Sequence, residues 1–439
     1  MSARRRVRGI SPLVRRLAAL LLLLAWHAQL ARAAEPSTAL KVRADQIVTL
    51  VNGSGDPAQI FVPSFLAQVP PAQLAALSKQ LTGQYGAARS VIRFDATSPS
   101  NATAYLDFER AIVPTMLAIE PDPPGRITGL LFTPGQVKGD TLSAVVRDLQ
   151  SLPGEVSIAV ATMEGDEPPV LTVRLNADKP LAVGSAFKLF LLAELSREIS
   201  ARQRRWTDVV QLSHRSIPSG ILQTWPEDAP VTLHTLAALM ISQSDNTAAD
   251  TMLHLLGREK VEQLLPKLGI AAPDRLRPLL TTREAALLKT DGDPGLLRQW
   301  AANSEAGRRA MLDGPLAAFS AKKIDLAKLA GDPVAIDSVE WFVSTGDLIR
   351  VMNWLRLHGD KRALDIMAIN NGLTAVAAAE FSYVGYKGGS ESGVMNMTFL
   401  LRGKQGAWHA VAGTWNDRSH PVDEAKFVAL MGRAVALVK

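Results

Sequence analysis

Ser185-Ala186-Phe187-Lys188-Leu189-Phe190-Leu191-Leu192 joins a hydroxyl and an amine to an apolar run too dense for a surface helix. At positions i and i+3 of a helix, Ser185 and Lys188 lie on one face, one turn apart. The four apolar residues after Lys188 predict a helix buried on nearly all sides. An amine held there is desolvated and its pKa falls. It can then accept a serine proton, which a solvated ammonium cannot do. Ser185, near the predicted helix N-terminus, also exposes its backbone N–H where negative charge would develop.

Two further segments extend this pattern. Ser244-Asp245-Asn246 falls between two predicted helices, Val231 to Ile241 and Thr247 to Leu256. At such a junction Ser244 can relay a proton toward a leaving group and Asn246 can hold a substrate amide. Asp245 is expected to order the turn through backbone hydrogen bonds. Lys387-Gly388-Gly389 is expected to close a strand that starts at Phe381. The Lys387 cation would face a substrate carboxylate, while Gly388 and Gly389 permit close approach. The N–H of Ser390 would then supply a second oxyanion donor opposite that of Ser185. Each motif alone is weak, and another S-x-x-K occurs at Ser320–Lys323. That one follows Ser244-Asp245-Asn246 in a polar tract and breaks the order, so it is set aside.

The surrounding pattern predicts one antiparallel sheet of five strands flanked by helices. Val156–Met163 and Val170–Leu175 read as paired strands joined through Glu164-Gly165-Asp166-Glu167. Phe381–Tyr386, Val394–Leu401 and Trp408–Trp415 supply three more, with Met395, Met397 and Phe399 alternating with Asn396 and Thr398 as in a half-buried strand. A terminal helix follows Pro421, with Phe427, Leu430, Met431, Ala434, Val435 and Val438 as its buried stripe. Residues 291–338, rich in Gly, Pro and charge, read as an irregular tract.

The first 33 residues are expected to be a signal peptide. Six arginines precede an apolar stretch, Leu17 to Trp26, and Ala31-Arg32-Ala33 supplies a cleavage pattern. That stretch is too short for a membrane span, which needs about 20 residues. Arg15-Arg16 also fits a twin-arginine signal, although an ordinary basic leader is the simpler reading. The leader carries seven arginines and no acidic group, so without it the formal charge falls from +6 to −1. Nothing then favours nucleic acid or a membrane surface as partner. The chain has no cysteine, which excludes a thiol nucleophile and thiolate metal sites. Residues 35–134 read as a small α+β domain, with helical spacing at Phe61, Phe65, Leu74, Leu77 and Leu81 and strands at Ser90–Phe94, Thr103–Phe108 and Ile127–Phe132. Residues 135–144 read as a linker and 145–439 as the domain that carries the chemistry. The seven histidines are scattered, His234 and His254 fit helix faces, and no metal motif occurs, so no cofactor is expected.

Residues from about 145 onward resemble the class A β-lactamase and penicillin-binding serine hydrolase superfamily, which carries S-x-x-K, S-D-N and K-T-G in this order. Met240-Ile241-Ser242-Gln243-Ser244-Asp245-Asn246-Thr247-Ala248 is especially similar to its S-D-N junction. Val69-Pro70 to Gly86 and Gly129 to Pro134 resemble a subgroup with a cystatin- or steroid-isomerase-like N-terminal domain. The resemblance implies an exported hydrolase, periplasmic or extracellular, acylated at Ser185 by a small β-lactam or related amide. A D-Ala-D-Ala peptidase or esterase on the same scaffold stays open, as does a non-enzymatic binder of cell-wall fragments. Gly388 stands where the family has threonine, and no R-x-E-x-x-L-N segment carries a deacylating glutamate. Glu284 lies at a tempting distance, but a first-turn helix acid is the plainer account of it. Slow release of the acyl group is therefore expected.

Overall fold

The computed structural model describes residues 34–290, 294–314 and 324–438, so the leader and Ser320–Lys323 lie outside the described residues. The chain divides between Lys138 and Gly139 into two compact units. In the first, strands β1 (Ala88–Ser98), β2 (Asn101–Phe108), β3 (Ala111–Ile119) and β4 (Ile127–Phe132) form an antiparallel sheet in chain order. Leu40, Ala44 and Ile47 of the helix Thr38–Val51, with Leu74 and Leu81 of the helix Pro71–Tyr85, are buried in the core on one sheet face. The sequence reading missed the first helix and β3. Pro114 lies within β3 and masks its strand pattern. The segment read as a linker contains β5 (Gln136–Val137), which pairs with Ala111-Ile112.

The second unit is built on a five-stranded sheet, antiparallel throughout. In chain order its strands are β6 (Glu155–Met163), β7 (Val170–Leu175), β12 (Phe381–Glu391), β13 (Val394–Gly403) and β14 (Trp408–Asn416), arranged β12-β13-β14-β6-β7. The short pairs β8 (Leu181–Ala182) with β11 (Phe342–Val343), and β9 (Val209–Gln211) with β10 (Pro230–Thr232), lie outside it. One sheet face packs on the helices Leu142–Gln150 and Glu424–Ala436 through Val411, Phe399 and Phe427. The other face, with Ala410 and Ala412, packs on a larger helical core that contains Phe190, Met240 and Met252.

Four local expectations change. β12 does not end at Lys387 but runs on to Glu391, because β13 pairs with it through Gly388 and Gly389 and overrides their weak strand propensity. β13 is buried on both faces rather than one. Asn396 and Thr398 lie inside, where the Asn396 amide donates to Gly413 O and Thr414 Oγ1 and Thr398 Oγ1 donates to Asn396. Val231 belongs to β10, and the next helix is Leu233–Ser242, capped by Thr232. The described part of the tract 291–338 is largely helical, with Pro294–Ala302, Glu305–Asp313 and Leu326–Ala330; Ser304 and Asp325 cap the last two.

Asn416 fixes the approach to Ser185. Its Oδ1 accepts from Ala182 N at 2.9 Å and its Nδ2 donates to Ala182 O at 3.0 Å, all within buried surroundings. Asn416→Ala strands both backbone groups. It should cost about 2–4 kcal/mol in a urea unfolding experiment.

Candidate active site

From β8 the chain passes Val183 into a 3-10 turn, Gly184–Phe187, and then the helix Lys188–Ser200. Gly184 adopts φ +50°, which an L side chain rarely accepts. Phe187 stacks on Trp341 with ring centroids 4.1 Å apart, and this fixes the turn against the chain leading into β11. Ser185 is left half-buried at the cavity wall, and its hydroxyl forms no hydrogen bond among the described residues.

Lys188 is fully buried. Its Nζ donates to Ser244 O at 2.6 Å, to Asn246 Oδ1 at 2.7 Å and to Ser244 Oγ at 3.3 Å. Burial pulls its pKa down to about 7, against the opposing pull of Asp250 and Asp245. Ser244 sits in the left-handed region at φ +55°, between the helices Leu233–Ser242 and Asn246–Leu256. Strain of that kind persists only where neighbours over-determine it. Here Asp245 does so. It accepts from Ala248 N at 2.8 Å, capping the second helix, and from Ile221 N and Leu222 N at 2.7 and 2.8 Å.

Lys387 enters from the far side. Its Nζ donates to Ser244 Oγ at 3.0 Å and to Gly388 O. Burial and the Lys188 ammonium hold its pKa well below the usual lysine range. Ser244 Oγ thus accepts from two amines, and its own proton remains to be donated. The strand carrying Lys387 presses directly on the Ser185 turn. A Cβ on Gly389 would lie 2.2 Å from Val183 O and 2.4 Å from Ser185 N, and one on Gly184 would lie 3.3 Å from Ser390 N. The backbone N–H groups of Ser185 and Ser390 therefore belong to touching segments.

Ser185, Ser244, Asn246, Lys387 and Ser390 line a cavity of about 730 Å³. The same cavity is lined by a cluster that the sequence reading missed. The Lys289 ammonium donates to Glu340 Oε1 at 2.7 Å and also to Glu391. Burial, followed by the Glu340 carboxylate, pushes the Glu391 carboxyl pKa up. No local pattern links these three positions, which come from a helix, the chain before β11 and the strand β12.

Glu284 is elsewhere. It accepts from Arg258 at 2.7 and 3.1 Å and from Thr281 N at 2.7 Å, and it lines a different cavity with His254. Asp250 accepts from Thr282 N, Thr282 Oγ1 and Arg283 N, so the N-terminus of the helix Thr282–Thr290 is held without it. His254 stacks on His214, and His234 meets Trp206 edge-on. Among the described residues no group of His, Cys, Asp and Glu has the arrangement of a metal site.

Residues 140–304 match the model of a β-lactamase enzyme family. The matched stretch holds Ser185, Lys188 and Ser244-Asp245-Asn246 and ends before Lys387. No curated protein matches the chain. Similar solved structures include a β-lactamase from Sphaerobacter thermophilus (19% identity, 67% of this chain and 94% of that one, TM-score 0.45). PBP-A (14%, 67% and 92%, 0.45) and a β-lactamase from Francisella tularensis (12%, 67% and 96%, 0.47) are others.

Two outcomes follow from this geometry. Gly389→Ala drives a methyl group to 2.2 Å from Val183 O and 2.4 Å from Ser185 N, so, on the acylation at Ser185 that the sequence leads one to expect, labelling by a fluorescent penicillin should slow more than tenfold. Glu284→Gln weakens a mostly buried pair with Arg258, so urea unfolding should report a loss of about 1–2 kcal/mol. That is more than the few tenths expected of an exposed first-turn acid. Acyl-enzyme lifetime, followed by intact mass, should not change.

Proposed function

We propose that this chain is an active-site-serine hydrolase of the β-lactamase type, with Ser185 as nucleophile. Neutral Lys188 takes the Ser185 proton as Oγ bonds to the carbonyl carbon of a strained amide. The Ser185 and Ser390 N–H groups hold the oxyanion as the tetrahedral intermediate forms. The C–N bond then breaks, and the leaving nitrogen receives a proton relayed from Lys188 through Ser244. Water later attacks the ester and frees Ser185. In this reading Asn246, whose Oδ1 is engaged by Lys188, presents its Nδ2 to the substrate amide, and Lys387 faces the substrate carboxylate.

The observation that carries this reading is the burial of Lys188 one turn from Ser185 with a pKa near 7. A general base works best when its pKa lies close to the working pH. The match to the β-lactamase family model over residues 140–304 adds support. Turned-away Glu284 favours a long-lived acyl-enzyme, and hence weak penicillin turnover or a related peptidase or esterase activity. Export under the arginine-rich leader, and a first unit that serves as a cystatin- or steroid-isomerase-like module, complete the proposal.

Labelling with a fluorescent penicillin tests it. Native protein should become labelled, and Ser185→Ala should not. Label that persists in Ser185→Ala would overturn the assignment. The labelling rate should rise about tenfold per pH unit below pH 7, as Lys188 loses its proton, and level off above. A rate independent of pH between 5 and 8 would mean that another group takes the proton.

A further inference from the structure

Lys188 and Lys387 are buried amines that share Ser244 Oγ, and neither has a carboxylate hydrogen-bond partner among the described residues. Lys387 and Ser244 line the cavity, and the paired amines suit it to an anionic group. Tyr386, the residue before Lys387, completes it in a way that the motif pattern does not suggest. The Tyr386 ring packs on Phe399 with centroids 4.8 Å apart, and Gly372 lies so close to the ring that a Cβ there would meet it at 2.7 Å. The ring is therefore held on two sides.

Its hydroxyl reaches over Gly388. A Cβ on Gly388 would lie 2.2 Å from Tyr386 Oη, so the phenol occupies the space that a side chain at position 388 would need. Residues 386 and 388 share one face of β12, as the strand period requires. The hydroxyl lines the cavity and has no hydrogen-bond partner among the described residues. The phenol is half-buried, so its O–H is open to a partner that enters the cavity. Burial, followed by Glu424, pushes the Tyr386 pKa up to about 12, so the group stays a neutral donor.

We infer that Tyr386 Oη donates a hydrogen bond to the carboxylate of the substrate, beside Lys387, in the place that a hydroxyl on residue 388 would otherwise fill. The inference rests on the hydrolase reading above and adds to its carboxylate contact a donor from outside the three sequence motifs. It also accounts for Gly388: the phenol and a 388 side chain exclude each other, so one hydroxyl replaces the other.

The test uses Ser185→Ala protein, which binds without being acylated, and calorimetric titration with benzylpenicillin and with its methyl ester. The free carboxylate should bind more tightly than the ester. Adding Tyr386→Phe keeps the ring and removes only the hydroxyl. It should weaken benzylpenicillin binding roughly tenfold or more, the usual loss for a hydrogen bond to a charged group. Affinity for the ester should move less than twofold, which also reports that the variant is folded. Equal weakening of both ligands, an unchanged preference in Tyr386→Phe, or no preference before it is introduced would overturn the inference. Covalent labelling of Ser185 in the unmutated protein reports separately on the hydrolase reading, so failure of the one is distinguishable from failure of the other.

Discussion

The amine of Lys188 has nowhere to go. It is fully buried, and an unpaired buried amine is costly, so the structure around it is arranged to supply acceptors. Two of its three acceptors are atoms of Ser244, and the third is Asn246 Oδ1. Ser244 can present both its carbonyl and its hydroxyl because it adopts a left-handed backbone, and Asp245 locks that backbone by capping one helix and gripping the Ile221-Leu222 amides. The need to satisfy one amine thus dictates the conformation of a turn more than fifty residues away. The same burial lowers the amine's pKa, so what stabilises the arrangement also equips it to accept a proton.

A second constraint acts on the opposite wall. The edge strand β12 comes so near the Ser185 turn that a Cβ on Gly389 would lie 2.4 Å from Ser185 N. That approach leaves no volume for a Cβ at Gly389 and demands a positive φ at Gly184. Glycine weakens a strand, yet β12 remains regular through this region because β13 pairs with it to Glu391. Pairing supplies the order that the glycines give up.

These constraints explain how much was legible in the sequence. Ser185 with Lys188, and Ser244-Asp245-Asn246, are local patterns at element boundaries, and the structure brings them together with Lys387. The strands of the five-stranded sheet were also readable, within a residue or two at most ends, because turns and apolar runs mark them. The length of β12 was not, since its continuation depends on a partner strand rather than on its own residues. β3 was hidden by Pro114. Least legible was the cluster of Lys289, Glu340 and Glu391, where each residue looks like an ordinary surface charge until the fold makes them converge.

That cluster bears on why an acyl group would persist. Two carboxylates face one ammonium in a buried wall, an excess of negative charge that burial opposes. Burial, followed by the Glu340 carboxylate, raises the pKa of Glu391 and so favours its protonated form. A carboxyl group that keeps its proton cannot take one from water. Glu340 is tied to Lys289 and Glu284 to Arg258, while Asp250 is taken up by Thr282 and the Arg283 N–H at the start of the helix Thr282–Thr290. In the proposed reaction the two amines that share Ser244 Oγ serve the forward step, Lys188 as base for Ser185 and Lys387 toward the substrate anion. For the hydrolase proposed here, that division of charge supports acylation over the attack of water, in line with the pairing of Glu284 with Arg258.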